Sequence, residues 1–149
     1  MVTVECLGKL PAGLTKTRVT KLVTLACMRV GFRGTAAVGV SLVDDRSIRA
    51  LNRAHRGKDK VTDVLSFSAT EGLPKAMVAG AKGELGDIVI ALPQMRRQAK
   101  VIGRSAKDEF ALLLVHGTLH LLGFDHESVA DESRMFALQH DILIRAGIL

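Results

Sequence analysis

The stretch Ser105-Ala106-Lys107-Asp108-Glu109-Phe110-Ala111-Leu112-Leu113-Leu114-Val115-His116-Gly117-Thr118-Leu119-His120-Leu121-Leu122-Gly123 decides the reading of this chain. Ser105 followed by an acidic residue three positions on, at Asp108, is a helix start. The residues after it are apolar on most faces, so the helix 105–122 belongs in a core rather than on a surface. Gly123 ends it. The apolar run from Phe110 to Phe124 is shorter than the ~18 residues of a membrane span and carries two histidines. It is therefore read as the central helix of a globular protein with no membrane partner.

Other elements arrange themselves around that helix. Residues 2–7 read as a strand, and Pro11 and Gly13 mark a turn. Leu14 to Val30 carries apolar residues at helical spacing, closed by Gly31. Ala36 to Val43 reads as a buried strand, and Asp44-Asp45 as the start of a short helix containing Ile48, Leu51 and Asn52. Arg53 to Lys60 is polar and basic and reads as a loop. Thr62 to Ala69 reads as a strand, 70–82 as a long mobile loop, and Leu85 to Ala91 as a fourth strand. Pro93 opens a basic helix to Ile102. Ser128 with Asp131 opens a last helix running toward Ala146. The expectation is one α/β (α+β) domain over 1–149. It has about four strands in a mixed sheet, about five helices, and a metal site at the end of the helix 105–122.

Composition narrows the function. The 149 residues suit one core, and 48% hydrophobic with 24% charged residues is a globular balance rather than a disordered one. The net charge of +6 leans toward a polyanionic partner. Five Phe with no Trp or Tyr leave little for base stacking. Cys6 and Cys27 match no zinc or redox spacing and read as core residues of a protein in a reducing compartment. No basic region followed by an apolar one precedes the first strand, so no secretory signal is expected.

The chemistry sits in His116-Gly117-Thr118-Leu119-His120-Leu121-Leu122-Gly123-Phe124-Asp125-His126. His116 and His120 are four apart, on one face of a helix and one turn from each other. Gly123 lets the chain fold back so that His126 returns to the same point. Three neutral imidazoles on one divalent ion leave a fourth position open, the plan of a catalytic zinc site rather than of a closed structural one. Imidazole also suits nickel and copper. Asp125 is read either as the carboxylate that orients a ligand histidine or as a cap on the turn. His55 and His140 have no metal-ligand spacing. Zinc peptidases on this spacing place Glu directly after the first histidine as general base; here that residue is Gly117. A second dense segment, from Arg56 through Lys58 and Lys60, becomes a phosphate clamp if it lies near an open metal. Asp63 and Asp87, each at or inside a strand, are read as structural.

The histidine stretch is similar to the signature of the YbeY endoribonucleases, bacterial rRNA maturation factors. Arg56-Gly57-Lys58-Asp59-Lys60 with Thr62-Asp63-Val64-Leu65-Ser66-Phe67, and Leu85-Gly86-Asp87-Ile88-Val89-Ile90, resemble that family's second and third motifs, in the same order. The departures are Val61 and Ser68, where Pro is usual, and His55 in place of a frequent Tyr. The resemblance implies a cytoplasmic, single-strand-specific, zinc-dependent endoribonuclease with one Zn2+ per chain. It implies action on rRNA, including 16S rRNA 3′-end maturation, a part in ribosome quality control, and work alongside ribosomal components. It carries the zinc ligands onto His116, His120 and His126 and a catalytic arginine onto Arg56, while Lys58 and Lys60 would bind substrate. Two rivals stand beside it: a zinc hydrolase of another class, such as a peptidase or amidase, and a non-catalytic ribosome-assembly factor with structural zinc.

Overall fold

A computed structural model describes residues 1–149. In chain order the elements are β1 (Val2–Leu7), α1 (Lys16–Arg29), β2 (Thr35–Val43), α2 (Asp45–Arg56), β3 (Val64–Ser68), α3 (Lys75–Val78), β4 (Lys82–Ala91), α4 (Leu92–Ile102), α5 (Ala106–Leu121) and α6 (Val129–Arg145). The four strands form one mixed sheet in the order β1-β2-β4-β3. β1, β2 and β4 run parallel, and β3 pairs antiparallel with β4 at one edge.

Short polar side chains start four of the helices, at Asp44, Ser105 and Ser128 as the sequence suggests and at Thr15 in addition. The side chains of Thr15, Asp44, Ser105 and Ser128 accept the backbone N–H of Arg18, Ser47, Asp108 and Asp131, respectively. Each such cap stabilises by about 1 kcal/mol, because it satisfies a backbone donor that the helix itself cannot.

The sheet is covered unequally. Alternate residues of β2 and β4 (Val38, Val40, Ile88, Ile90) meet α1 and α5 in the main core, with Phe110, Leu114 and Val115. On the opposite face a smaller cluster, Ile48 with Leu65, Val89 and Ala91, seats α2. α5 is the hub: it packs against α1, α4, α6, β3 and β4. No helix is long and apolar enough to cross a membrane.

Four readings of the sequence need correcting. Arg53 to Arg56 is the last turn of α2, not loop, since polar residues do not break a helix and the chain leaves it only at Gly57. The segment 70–82 holds the one-turn helix α3, whose Val78 is buried in the main core, so there are six helices rather than five. β4 starts three residues before Leu85, where Lys82 and Gly83 pair with β2 despite their polarity. α1 starts at Lys16, and Leu14 packs in the core ahead of the Thr15 cap.

α5 lies so close to the sheet that one position tolerates no side chain. A Cβ on Gly117 would sit 2.8 Å from Ile88 Cγ2 and 3.2 Å from Ser66 Oγ. Ser66 Oγ also reaches the Gly117 carbonyl, at 3.4 Å. Ile88 is fully buried and β-branched, so it cannot swing aside. Gly117→Ala should therefore destabilise. Overpacking of about 1–3 kcal/mol outweighs the helix-propensity gain of up to about 1 kcal/mol. Thermal unfolding should show a Tm lower by a few degrees; an unchanged or higher Tm would contradict the close seating.

Candidate metal and phosphate site

α5 carries His116 and His120 in its last turns, half-buried where the helix leaves the core. Just past it, Gly123 adopts φ +95°, which an L side chain rarely accepts. The reversal is fixed by the Phe124 N–H bonding to the Leu119 carbonyl at 3.1 Å. The chain then doubles back and presents His126 to the other two rings. The ring centroids of His116 and His120 are 4.7 Å apart, those of His120 and His126 5.3 Å, and those of His116 and His126 6.1 Å. One nitrogen from each ring lies within 4.8 Å of the other two, and no Cys, Asp or Glu atom joins the group.

This donor set fits a tetrahedral metal ion. The Nε2 atoms of His116 and His120 are 3.1 Å apart. Two nitrogens at ~2.0–2.1 Å from one tetrahedral ion would be ~3.3 Å apart. A ligand imidazole must be neutral, and burial favours that form. Desolvation, together with the neighbouring imidazoles, brings His120 down to about 4. Desolvation also lowers His116, against the opposing pull of its Gln139 hydrogen bond.

That Gln139 contact is a site residue missed in the sequence. The His116 Nδ1–H donates to Gln139 Oε1 at 2.9 Å. An amide oxygen can only accept, so the contact selects the tautomer that leaves the Nε2 lone pair facing His120. Gln139 comes from α6 and is itself buried. A signal existed: Met135, Gln139 and Ile142 share one face of α6, and a glutamine between two core residues needs a buried partner. Asp125 takes the turn role of its two readings, accepting the Glu127 N–H at 3.3 Å.

The histidines line one wall of a cavity of about 930 Å³, and Arg56, Lys58 and Lys60 line it as well. Arg56 is anchored at the end of α2. Its Nη2 donates to the Ser66 carbonyl at 2.6 Å, and its guanidinium lies 5.6 Å from the centre of the Phe67 ring. One of its five N–H donors is thus used on the edge of β3, leaving others for a ligand. His55 packs edge-on against Phe67 with centroids 5.0 Å apart and stands outside the histidine group, as expected of a non-ligand. Asp63 is held structurally: its carboxylate accepts the Val64 N–H at 2.7 Å and Gln98 Nε2 at 2.9 Å. Lys75 of α3 holds its ammonium 4.4 Å from the centre of the Phe124 ring, tying the one-turn helix to the loop that carries His126.

Comparison with known proteins points to one family. A family model described as Endoribonuclease YbeY matches residues 9–147. A protein of that name from Halalkalibacterium halodurans is 44% identical over 119 residues, covering 77% of this chain and 75% of its own. Another from Desulforamulus reducens is 45% identical over 130 residues, covering 87% and 85%. A solution structure of a Thermotoga maritima protein superposes with a TM-score of 0.65 at 25% identity, covering 98% of this chain and 89% of its own.

Two outcomes follow from the histidine environment. Gln139→Leu should keep the fold but weaken zinc binding by roughly 10–100-fold, the usual cost of losing a ligand's outer partner. Competition with a chromogenic chelator measures this, and unchanged affinity would contradict the tautomer argument. The second concerns pH. His120 binds protons less readily when folded, near 4, than at its ordinary value of 6.5. The unfolded chain takes up the extra proton, so stability of the metal-free protein should fall as pH drops from about 6.5 toward 4. Urea midpoints should show the fall, and it should be smaller in His120→Gln; equal falls in both would exclude His120 as its source.

Proposed function

The chain belongs to the YbeY endoribonuclease family, and from that premise we propose that it is a zinc-dependent endoribonuclease that cuts single-stranded RNA. Its substrate on this reading is ribosomal RNA, in processing that includes maturation of the 16S 3′ end and in ribosome quality control. It would work in the cytoplasm beside ribosomal components. The observation that carries the proposal is the meeting, in one cavity, of three convergent imidazoles and an anchored basic segment.

His116, His120 and His126 would hold one zinc ion per chain. Zinc there supplies Lewis-acid stabilisation of charge at a phosphate, or acidification of a water. The protein's own contributions are distinct. Arg56, braced by the Ser66 carbonyl and the Phe67 ring, presents its remaining N–H groups to the charge that builds on the phosphate oxygens. Because it is braced beforehand, little reorganisation is needed when that charge appears. Lys58 and Lys60 hold neighbouring phosphates of the strand as point charges. Gln139 keeps His116 in its liganding tautomer.

The peptidase alternative is disfavoured by sterics as well as by chemistry. The position that would carry its glutamate is Gly117, pressed against Ile88 and Ser66, where a longer side chain has no room. An open fourth position argues against a purely structural metal.

Replacing His116 with Ala should remove bound zinc, read by elemental analysis, and abolish cleavage of a single-stranded RNA. Undiminished zinc would refute the ligand assignment. Arg56→Ala should keep near-normal zinc and lose roughly 10²–10³ in kcat, the range for deleting one transition-state donor. Unchanged cleavage would remove Arg56 from the mechanism.

A further inference from the structure

The net positive charge of this protein is concentrated in two segments of the chain. Residues 44–60 and 92–104 hold ten basic against three acidic side chains; the remainder of the chain holds eleven against twelve. The whole excess of the +6 net charge therefore lies on α2, the loop after it, and α4. These two helices pack beside one another, joined by Arg97 to Asp45 at 2.9 Å.

The arrangement is directional. Arg46, Arg49, Arg53 and Arg56 recur at i, i+3, i+7 and i+10, all exposed, so they form a single stripe along α2. At the helical rise it is about 15 Å long. Its C-terminal end, Arg56, is a wall of the histidine cavity. All three carboxylates of the face are already engaged. Asp44 accepts the Ser47 N–H, Asp45 binds Arg97, and Asp59 binds Arg49. Arg46, Arg53, Arg96 and Lys100 are exposed and have no carboxylate within 4 Å. Neither helix carries a Phe, Tyr or Trp, and the one ring on them, His55, is packed edge-on against Phe67.

We infer that the α2–α4 face is a second RNA contact, which grips the phosphate backbone of a segment flanking the one that enters the cavity. The inference rests on the RNA-cleavage reading and adds to it a length requirement. The cavity acts on a short stretch of strand, while the stripe, continuous with Arg56, leads the flanking phosphates away from it. As an interaction of point charges with phosphates, this contact is independent of sequence and governed by counterion release.

The test uses Arg46→Gln, Arg53→Gln, Arg96→Gln and Lys100→Gln combined in the full chain, with circular dichroism to confirm the fold. Binding is read by fluorescence anisotropy across a salt series. Two labelled single-stranded RNAs are compared, one of about 30 nucleotides and one of about six, both 2′-O-methylated to slow cleavage. Each lost phosphate contact should reduce the slope of log affinity against log salt by about 0.7. The variant should therefore bind the long RNA at least about tenfold more weakly at ~0.1 M salt, with a slope lower by up to ~3. The short RNA should be bound alike by both proteins. An unchanged slope for the long RNA, or an equal loss on both RNAs, would overturn the second contact. Failure of the cleavage reading looks different: the unmodified short RNA would go uncut by the wild-type protein, while the long-RNA comparison would still report on the face.

Discussion

The closeness of α5 to the sheet is the constraint on which the rest of the structure depends. The helix is buried on nearly every side, and at Gly117 it approaches Ile88 and Ser66 closely enough to exclude a β-carbon. A helix fixed this firmly delivers the two histidines at its end to a defined place beside β3. From there the sharp reversal at Gly123 needs only a few residues to bring His126 back. Rigidity of this kind matters because a metal site tolerates little error in ligand position. The same contact excludes a glutamate at position 117, so packing and chemistry share one cause.

Around that fixed pair, the site is assembled from elements distant in sequence. α6 contributes Gln139 behind His116, α2 and the loop after it contribute Arg56, Lys58 and Lys60, and α3 braces Phe124 through Lys75. His116 and His120 lie in a partly dehydrated corner that favours their neutral form, whereas His126 and the basic groups are exposed. A cation and a phosphate can thus meet at the boundary between a low-dielectric wall and an open positive one.

Much of this was legible in the sequence, for identifiable reasons. The buried helix, its Ser105 start and its Gly123 stop are local signals, and the structure keeps all three. The three histidines were readable because helical spacing and one glycine suffice to bring them together. What escaped depends on contacts between distant elements. The last turn of α2 looked like a loop because its residues are polar, yet that turn is what aims Arg56 at β3. The α3 turn was hidden in a glycine-rich stretch, and only the burial of Val78 explains why it forms. Gln139 lay beyond local reading because its partner is 23 residues away. For Asp125 the sequence left two roles open, and the backbone of the turn takes it.

X-ray absorption at the zinc edge of the metal-loaded protein tests the central claim most directly. The account predicts three imidazole nitrogens at ~2.0–2.1 Å and one further light-atom ligand not supplied by the protein. Fewer than three imidazoles, or a sulfur or protein carboxylate closing the fourth position, would contradict it.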